Sequence, residues 1–281
     1  MLELEKMEVN MQTFNFDLKQ NEYLKEGMIY CKKCNEPKLY YFKEMGRYVR
    51  VACSCDKKEY EEEQQRKQQE KLMERIKTLQ SASLLDERYR GVTFANTQLE
   101  GADESFKVAY NRCLKYCENY EEVLKNAYGI YLVGGTGTGK THLTACMVNY
   151  LLEKSIPCIF TNFYEIVRLI RSTWGRNVQE SEMIDKIINV PFLVIDDFGT
   201  ERVLTNGNDN DMQDKIYEII NKRNNAKKPT VFTSNNTFKQ LIEEKGLMKK
   251  TVDRLVAMCN AVIEVKGESY RLKNRQTKLP F

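Results

Sequence analysis

One loop constrains this chain more than any other feature. Gly129-Ile-Tyr-Leu-Val133 is a short apolar run, and Gly134-Gly135-Thr136-Gly137-Thr138-Gly139-Lys140-Thr141-His142 follows it directly. The spacing G-x-x-x-x-G-K-T between a strand and a helix is that of a phosphate-binding loop. Its glycines let backbone N–H groups wrap closely around an anion, and the N-terminus of the following helix favours negative charge. Lys140 is placed to reach the β/γ-phosphates of ATP, and the Thr141 hydroxyl to ligate Mg²⁺. His142 opens the helix as a packing or polar neighbour of the nucleotide. A loop of this kind sits at the carboxyl end of a strand in a parallel sheet, so the expectation is an α/β fold.

The rest of the chain from residue 81 fits that expectation. Apolar runs at Ile130–Val133, Cys158–Phe160, Phe192–Ile195, Thr230–Thr233 and Ala261–Val265 alternate with helical patterns. The helical patterns lie near 140–153, 163–171, 179–189, 209–226 and 238–258, the last one broken at Gly246. This is a parallel five-stranded sheet with crossover helices. Phe192-Leu-Val-Ile195-Asp196-Asp197 is a buried strand ending in two acids, the Walker B arrangement. Asp196 would hold Mg²⁺ and Asp197 would polarise the attacking water. Thr230-Val-Phe-Thr233-Ser234-Asn235 ends a further strand, where Asn235 can orient water beside the γ-phosphate, the sensor 1 role.

Nine cysteines stand beside one histidine. A histidine-based metal centre needs at least two imidazoles, which leaves thiolates and carboxylates as ligands. The N-terminus has no signal-peptide pattern and no stretch reaches ~18 apolar residues, so the expectation is a cytoplasmic chain without a membrane span. Structural disulfides are rare there. Cys31-Lys-Lys-Cys34 and Cys53-Ser-Cys55 are separated by eighteen residues, which include Leu39–Phe42 and Arg47–Val51 around Gly46. That is a β-hairpin between two thiolate pairs, and four sulfurs close a structural Zn²⁺ shell. The bland alternative is four ordinary cysteines. Cys113, Cys117, Cys146, Cys158 and Cys259 are scattered and read as buried packing.

Between these parts, residues 57–80 contain no Gly or Pro and are rich in Glu, Gln, Lys and Arg. Only Leu72, Ile76 and Leu79 form an apolar stripe, so this is an exposed linker helix rather than a coiled coil. The expected domains are therefore 1–56, 57–80 and 81–281. Charge is uneven: residues 31–55 carry six bases and two acids, and residues 245–281 carry nine bases and three acids. Such basic segments are either solvated surface or contacts to a phosphate backbone.

These sites, together with Asp86–Phe94, Asp253-Arg254-Leu255 and Ser269-Tyr270-Arg271, resemble the AAA+ ATPases of the bacterial and phage replicative-helicase loaders, the DnaC and DnaI type. The IstB transposition helpers share most of the pattern. The resemblance covers about 85 to 275. It implies an AAA+ P-loop core with no large lid, since ten residues follow Arg271. It implies that Arg254 is an arginine finger reaching the ATP of a neighbouring copy, and that Arg271 is sensor 2 within its own subunit. Arg223 is a rival for the contact in trans. Residues near Arg90–Phe94 would border the adenine. The cysteine block resembles the zinc-bearing N-terminus of some loaders.

The function implied is an ATP-dependent loader. Its N-terminus would bind a hexameric replicative helicase, and its AAA+ domain would self-assemble and contact single-stranded DNA. Arg168, Arg171, Trp174 and Arg176 are candidates for that contact, against an ordinary amphipathic helix and loop. The alternatives are an IstB-like helper of a transposase and a nucleotide-gated adaptor with negligible turnover.

Overall fold

The computed structural model describes residues 18–26, 28–42, 46–172, 184–199 and 210–273. The chain divides into two compact units, 1–73 and 74–281. In the first unit, β1 (Glu22–Lys25) pairs antiparallel with β2 (Met28–Cys31), and β3 (Leu39–Phe42) with β4 (Arg47–Arg50). The second hairpin is the one expected around Gly46. The first is an addition, made of strands too short to announce themselves. Helix α1 (Ser54–Ala82) follows, and none of its residues is buried. A buried carboxylate, Glu22, ties the hairpins together, reaching Lys38 Nζ at 3.6 Å and Arg50 Nη2 at 3.2 Å. Lys38 also pairs with Asp56 at 2.9 Å.

The second unit contains α2 (Glu104–Glu118), α3 (Tyr120–Asn126), β5 (Gly129–Val133), α4 (Lys140–Glu153), β6 (Cys158–Asn162), α5 (Phe163–Ser172), α6 (184–189), β7 (Phe192–Asp196), α7 (Asn210–Asn225), β8 (Thr230–Ser234), α8 (Phe238–Glu243), α9 (Lys249–Met258), β9 (Cys259–Glu264) and α10 (Tyr270–Lys273). The five strands form one parallel sheet in the order β6-β7-β8-β5-β9. Both faces are covered, which is why the strands are nearly continuous in apolar residues. Along β5, Tyr131 and Val133 join one core with Phe163, Ile187 and Leu255, while Ile130 and Leu132 join the other with Leu143, Met147 and Leu151. The five cysteines read as packing, Cys113, Cys117, Cys146, Cys158 and Cys259, are all buried. At the β6 edge, the Phe160 N–H donates to the Ser83 carbonyl at 2.7 Å. After β9 the described chain continues to the short α10. Among the described residues, no helix is long and apolar enough to cross a membrane.

Arg223 corrects one expectation. It is 1% exposed, so it cannot reach a neighbouring copy. Its Nη1 donates to Ile187 O at 2.6 Å, Ile188 O at 3.0 Å and Val190 O at 3.1 Å. Its Nη2 donates to Pro229 O at 2.7 Å, and Nε to Thr230 Oγ1 at 2.9 Å. Burial pulls its pKa down, and this ring of oxygens compensates the desolvated charge. A cation at the carboxyl end of α6 also meets the negative end of that helix. Arg223→Ala should therefore cost about 3 kcal/mol of stability by stranding buried carbonyls. Urea unfolding measures it; a loss within 0.5 kcal/mol, the usual scatter of surface changes, would remove Arg223 from the supports of the sheet.

Candidate functional site

The sheet order places β8 between β5 and β7, so three functional strand ends stand side by side. Lys140 Nζ donates to Gly134 O and Gly135 O, and to Asn235 Oδ1, each at 2.8 Å. Its ammonium is thereby held over the loop by the residue that ends the neighbouring strand. The Thr141 hydroxyl donates to the Asp196 carboxylate, at 3.0 Å to Oδ2 and 3.2 Å to Oδ1. Burial raises the Asp196 pKa, the Asp197 charge adds to that, and hydrogen bonds from Thr233 and Thr141 oppose it. Asp197 is exposed and takes a left-handed backbone, φ 52°, which turns it out of the strand. Lys140 is thus in direct contact with Asn235, and Thr141 with Asp196.

Thr233 is the member that sequence reasoning quoted without assigning. Its hydroxyl donates to Asp196 Oδ1 at 2.6 Å and accepts the Asp197 N–H at 2.9 Å. One fully buried oxygen therefore fixes the carboxylate of Asp196 and the turn that presents Asp197. The signal was available: a threonine two residues before the strand-end Asn, pointing to the same face.

The loop itself requires glycine at two positions. Gly137 has φ 81°, and a Cβ there would collide with the Ser269 side chain. Gly139 has φ 98°, and its Cβ would lie 2.5 Å from the Phe106 ring. The Tyr270 N–H donates to Gly137 O at 2.9 Å, so the strap after β9 is hydrogen-bonded to the loop's tip.

Beside the loop lies a pocket of ≈ 470 Å³. Residues 136–142, Asp197 and Asn235 line it, together with the aromatic Tyr89, Phe106 and Tyr270 and polar groups that include Asn96, Thr97, Gln98 and Lys266. Its size, its anion-ready loop and its aromatic side chains suit a nucleoside triphosphate. Near Arg90–Phe94, where the base was expected, the flanking Tyr89, Asn96 and Thr97 line it; Phe94 is buried, and its carbonyl accepts the Tyr110 hydroxyl at 2.8 Å. His142 lies on the pocket wall with Nε2 2.9 Å from Thr97 Oγ1, and burial lowers its pKa.

Arg254 is exposed on α9 and does not line the pocket of its own chain. Arg271 falls on α10, but its side chain lies outside the described set, as does that of Arg171 on α5. Trp174 and Arg176 lie outside the described residues. Arg168 is described, and it pairs with Glu165 at 2.7 Å.

In the first unit, one sulfur from each of Cys31, Cys34, Cys53 and Cys55 lies within 4.8 Å of all the others. Zn–S bonds of about 2.3 Å in a tetrahedron require sulfurs about 3.8 Å apart, so the four fit that ion with a small contraction. The Cys31–Cys34 turn is closed by the Asn35 N–H on Cys31 O at 3.0 Å, with Asn35 left-handed at φ 59°. Cys55 sits in the first turn of α1. Burial works to raise the Cys34 thiol, but the Glu36 N–H and the three neighbouring cysteines bring it down to about 6. A thiolate is the form a metal binds.

Comparison with known proteins agrees with this geometry. A family profile described as "IstB-like ATP binding protein" matches residues 59–278. The replicative helicase loader DnaC of Buchnera aphidicola is 25% identical over 227 residues, which are 76% of this chain and 85% of that protein. The phage-like element PBSX protein XkdC of Bacillus subtilis is 25% identical over 252 residues, 87% of this chain and 85% of that one. Among solved structures, the DnaC helicase loader superposes with a TM-score of 0.55 at 21% identity, covering 64% of this chain and all of that one. A DnaI structure gives 0.53 at 24% identity, covering 67% and 95%.

Proposed function

The chain belongs to the IstB-like ATP binding protein family, and on that premise we propose that it hydrolyses ATP to load a replicative DNA helicase onto single-stranded DNA. The observation that carries the ATPase reading is the contact network Lys140–Asn235 and Thr141–Asp196–Thr233, joined at the ends of adjacent strands. Lys140 binds and neutralises the transferred phosphoryl group. Thr141 and Asp196 are the residues that would hold Mg²⁺, which supplies charge neutralisation on the phosphates. Asp197, turned outward, takes the proton of the attacking water, and Asn235 orients that water. Asp is one methylene shorter than Glu, which fits turnover that waits for a partner. Arg254 completes the site of a neighbouring copy, its exposure leaving it available for that contact. Arg271 is assigned to the nucleotide of its own chain.

The helicase-binding part of the reading is supported by the loaders among the relatives and by the four-cysteine unit ahead of the ATPase core. Cys31, Cys34, Cys53 and Cys55 would hold Zn²⁺ structurally, four sulfurs leaving no open position. Helicase capture needs a differential affinity between nucleotide states to be released again. The test is size-exclusion of the full-length protein with the cognate hexameric helicase, in ATP and in ADP. Co-elution in ATP that weakens in ADP is expected. Failure to co-elute in either state, with capture of a transposase instead, would transfer the protein to the transposition helpers.

A further inference from the structure

We infer that His142 is a base-reading residue, selecting adenine through a hydrogen-bond acceptor at its Nδ1. The inference rests on the nucleotide reading of the pocket and deepens it. With the phosphates at the loop, the nucleoside is left the rest of the same pocket, whose lining includes Tyr89, Asn96, Thr97, Gln98 and Phe106. His142 follows the loop directly and lines that pocket too. The proton on its ring is located by counting donors. The Thr97 hydroxyl owns one hydrogen, and it is spent on Thr93 O at 2.7 Å. An uncapped oxygen pair at that separation would repel, so the hydrogen cannot be shared with the imidazole. Thr97 Oγ1 must therefore accept from His142 at 2.9 Å, which puts the ring hydrogen on Nε2. Nδ1 is then a bare lone pair, with no partner among the described residues.

Asn96, next to Thr97 on the pocket lining, cannot supply the same function. Asn96 spends Oδ1 on the Thr93 N–H and Nδ2 on Gly91 O. Thr97 is further shared with the Cys146 thiol at 3.5 Å. The same face of α4 holds the wall from behind, since Asn149 Nδ2 donates to Tyr89 O and Val92 O at 2.8 and 2.7 Å. The wall is thus fastened to the phosphate-binding helix at two levels, and Nδ1 is held in a fixed tautomer. A fixed acceptor accepts the exocyclic amine of adenine. It repels the carbonyl that guanine and hypoxanthine carry at the same ring position.

Calorimetry with ATP, ITP and inorganic tripolyphosphate, each with Mg²⁺, tests this on the full-length protein. ITP carries a carbonyl in place of that amine and a hydrogen on the adjacent ring nitrogen, and tripolyphosphate has no nucleoside. Wild type should prefer ATP over ITP by about tenfold, the worth of one hydrogen bond gained against one lost. His142→Ala should erase the preference while tripolyphosphate binding stays unchanged, which also shows that the variant is folded. Thr97→Val should weaken the preference with His142 intact, and Thr97→Ser should restore it. An ATP:ITP ratio that survives His142→Ala overturns the inference. So does a loss shared equally by tripolyphosphate, or a ratio carried by the ribose, seen as 2′-deoxy-ATP falling in place of ITP. Wild type that binds neither ATP nor tripolyphosphate would instead overturn the reading of the pocket, and this with it.

Discussion

Lys140→Ala should lower ATP turnover by about 10³-fold and abolish the shift in melting temperature that ATP produces, because it removes a cation already held over the loop. The side chain is positioned before any ligand arrives, by Gly134 O, Gly135 O and Asn235 Oδ1. Its loss therefore removes binding and catalysis together. Arg254→Ala should behave differently. The arginine is exposed on α9 and absent from the pocket of its own chain, so ATP binding stays near normal while turnover falls by about 10³-fold. The two variants mixed should recover activity that neither has alone. A Lys140→Ala chain lends its arginine, and an Arg254→Ala chain lends its intact loop. Titrating one variant against the other in an ATPase assay reads this directly. No recovery at any ratio, or an equal loss of ATP affinity in Arg254→Ala, would mean that the arginine works within its own chain or not at all.

Removing the metal should unfold the first unit and leave the second standing. Among its described residues, the buried apolar side chains are Ile29, Leu39, Cys31 and Cys53, and two of these are candidate ligands. Two hairpins of four-residue strands cannot offset their chain entropy on so small a core. Binding energy of the ion is then folding energy, on the order of 10 kcal/mol for sites of this kind. Metal analysis should give one Zn²⁺ per chain. Chelation, or Cys34→Ser, should collapse the dispersed amide resonances of β1 to β4 while the ATP-induced melting shift persists. The second unit carries its own two cores around the sheet, which is why it should be indifferent. Well under one Zn²⁺ per chain with the hairpins intact would refute the site.

The parts of this architecture that were legible share a physical property. β5, β7 and β8 are buried along their whole length, so each shows as an apolar run, and the candidate site residues stand at or just past their ends. The loop glycines were legible because only glycine fits at Gly137 and Gly139. What was not legible depends on distant neighbours. Arg223 reads as a surface arginine on a polar helix, and nothing local says that Ile187, Ile188 and Val190 will close around it. The β1–β2 hairpin has Gly27 as its only turn signal and no periodicity long enough to detect. The pocket wall expected near Arg90–Phe94 is formed by the residues on either side, Tyr89 and Asn96–Gln98, while Phe94 turns inward to pack beside Tyr110. Thr233 lay inside a recognised motif, but its double hydrogen bond follows from strand order, which places β8 beside β7.

The hydrogen bond from Phe160 to the Ser83 carbonyl has a consequence for solubility. β6 is the outermost strand on its side of the sheet, and an uncovered outer strand offers its backbone to any other chain. Ser83, buried just past the end of α1, takes up one of those backbone groups, the Phe160 N–H. The segment after the polar helix therefore acts as a guard against sticking between copies. An ATPase fragment that begins at residue 90 would keep the loop and both acids, yet expose a strand that the whole protein keeps covered.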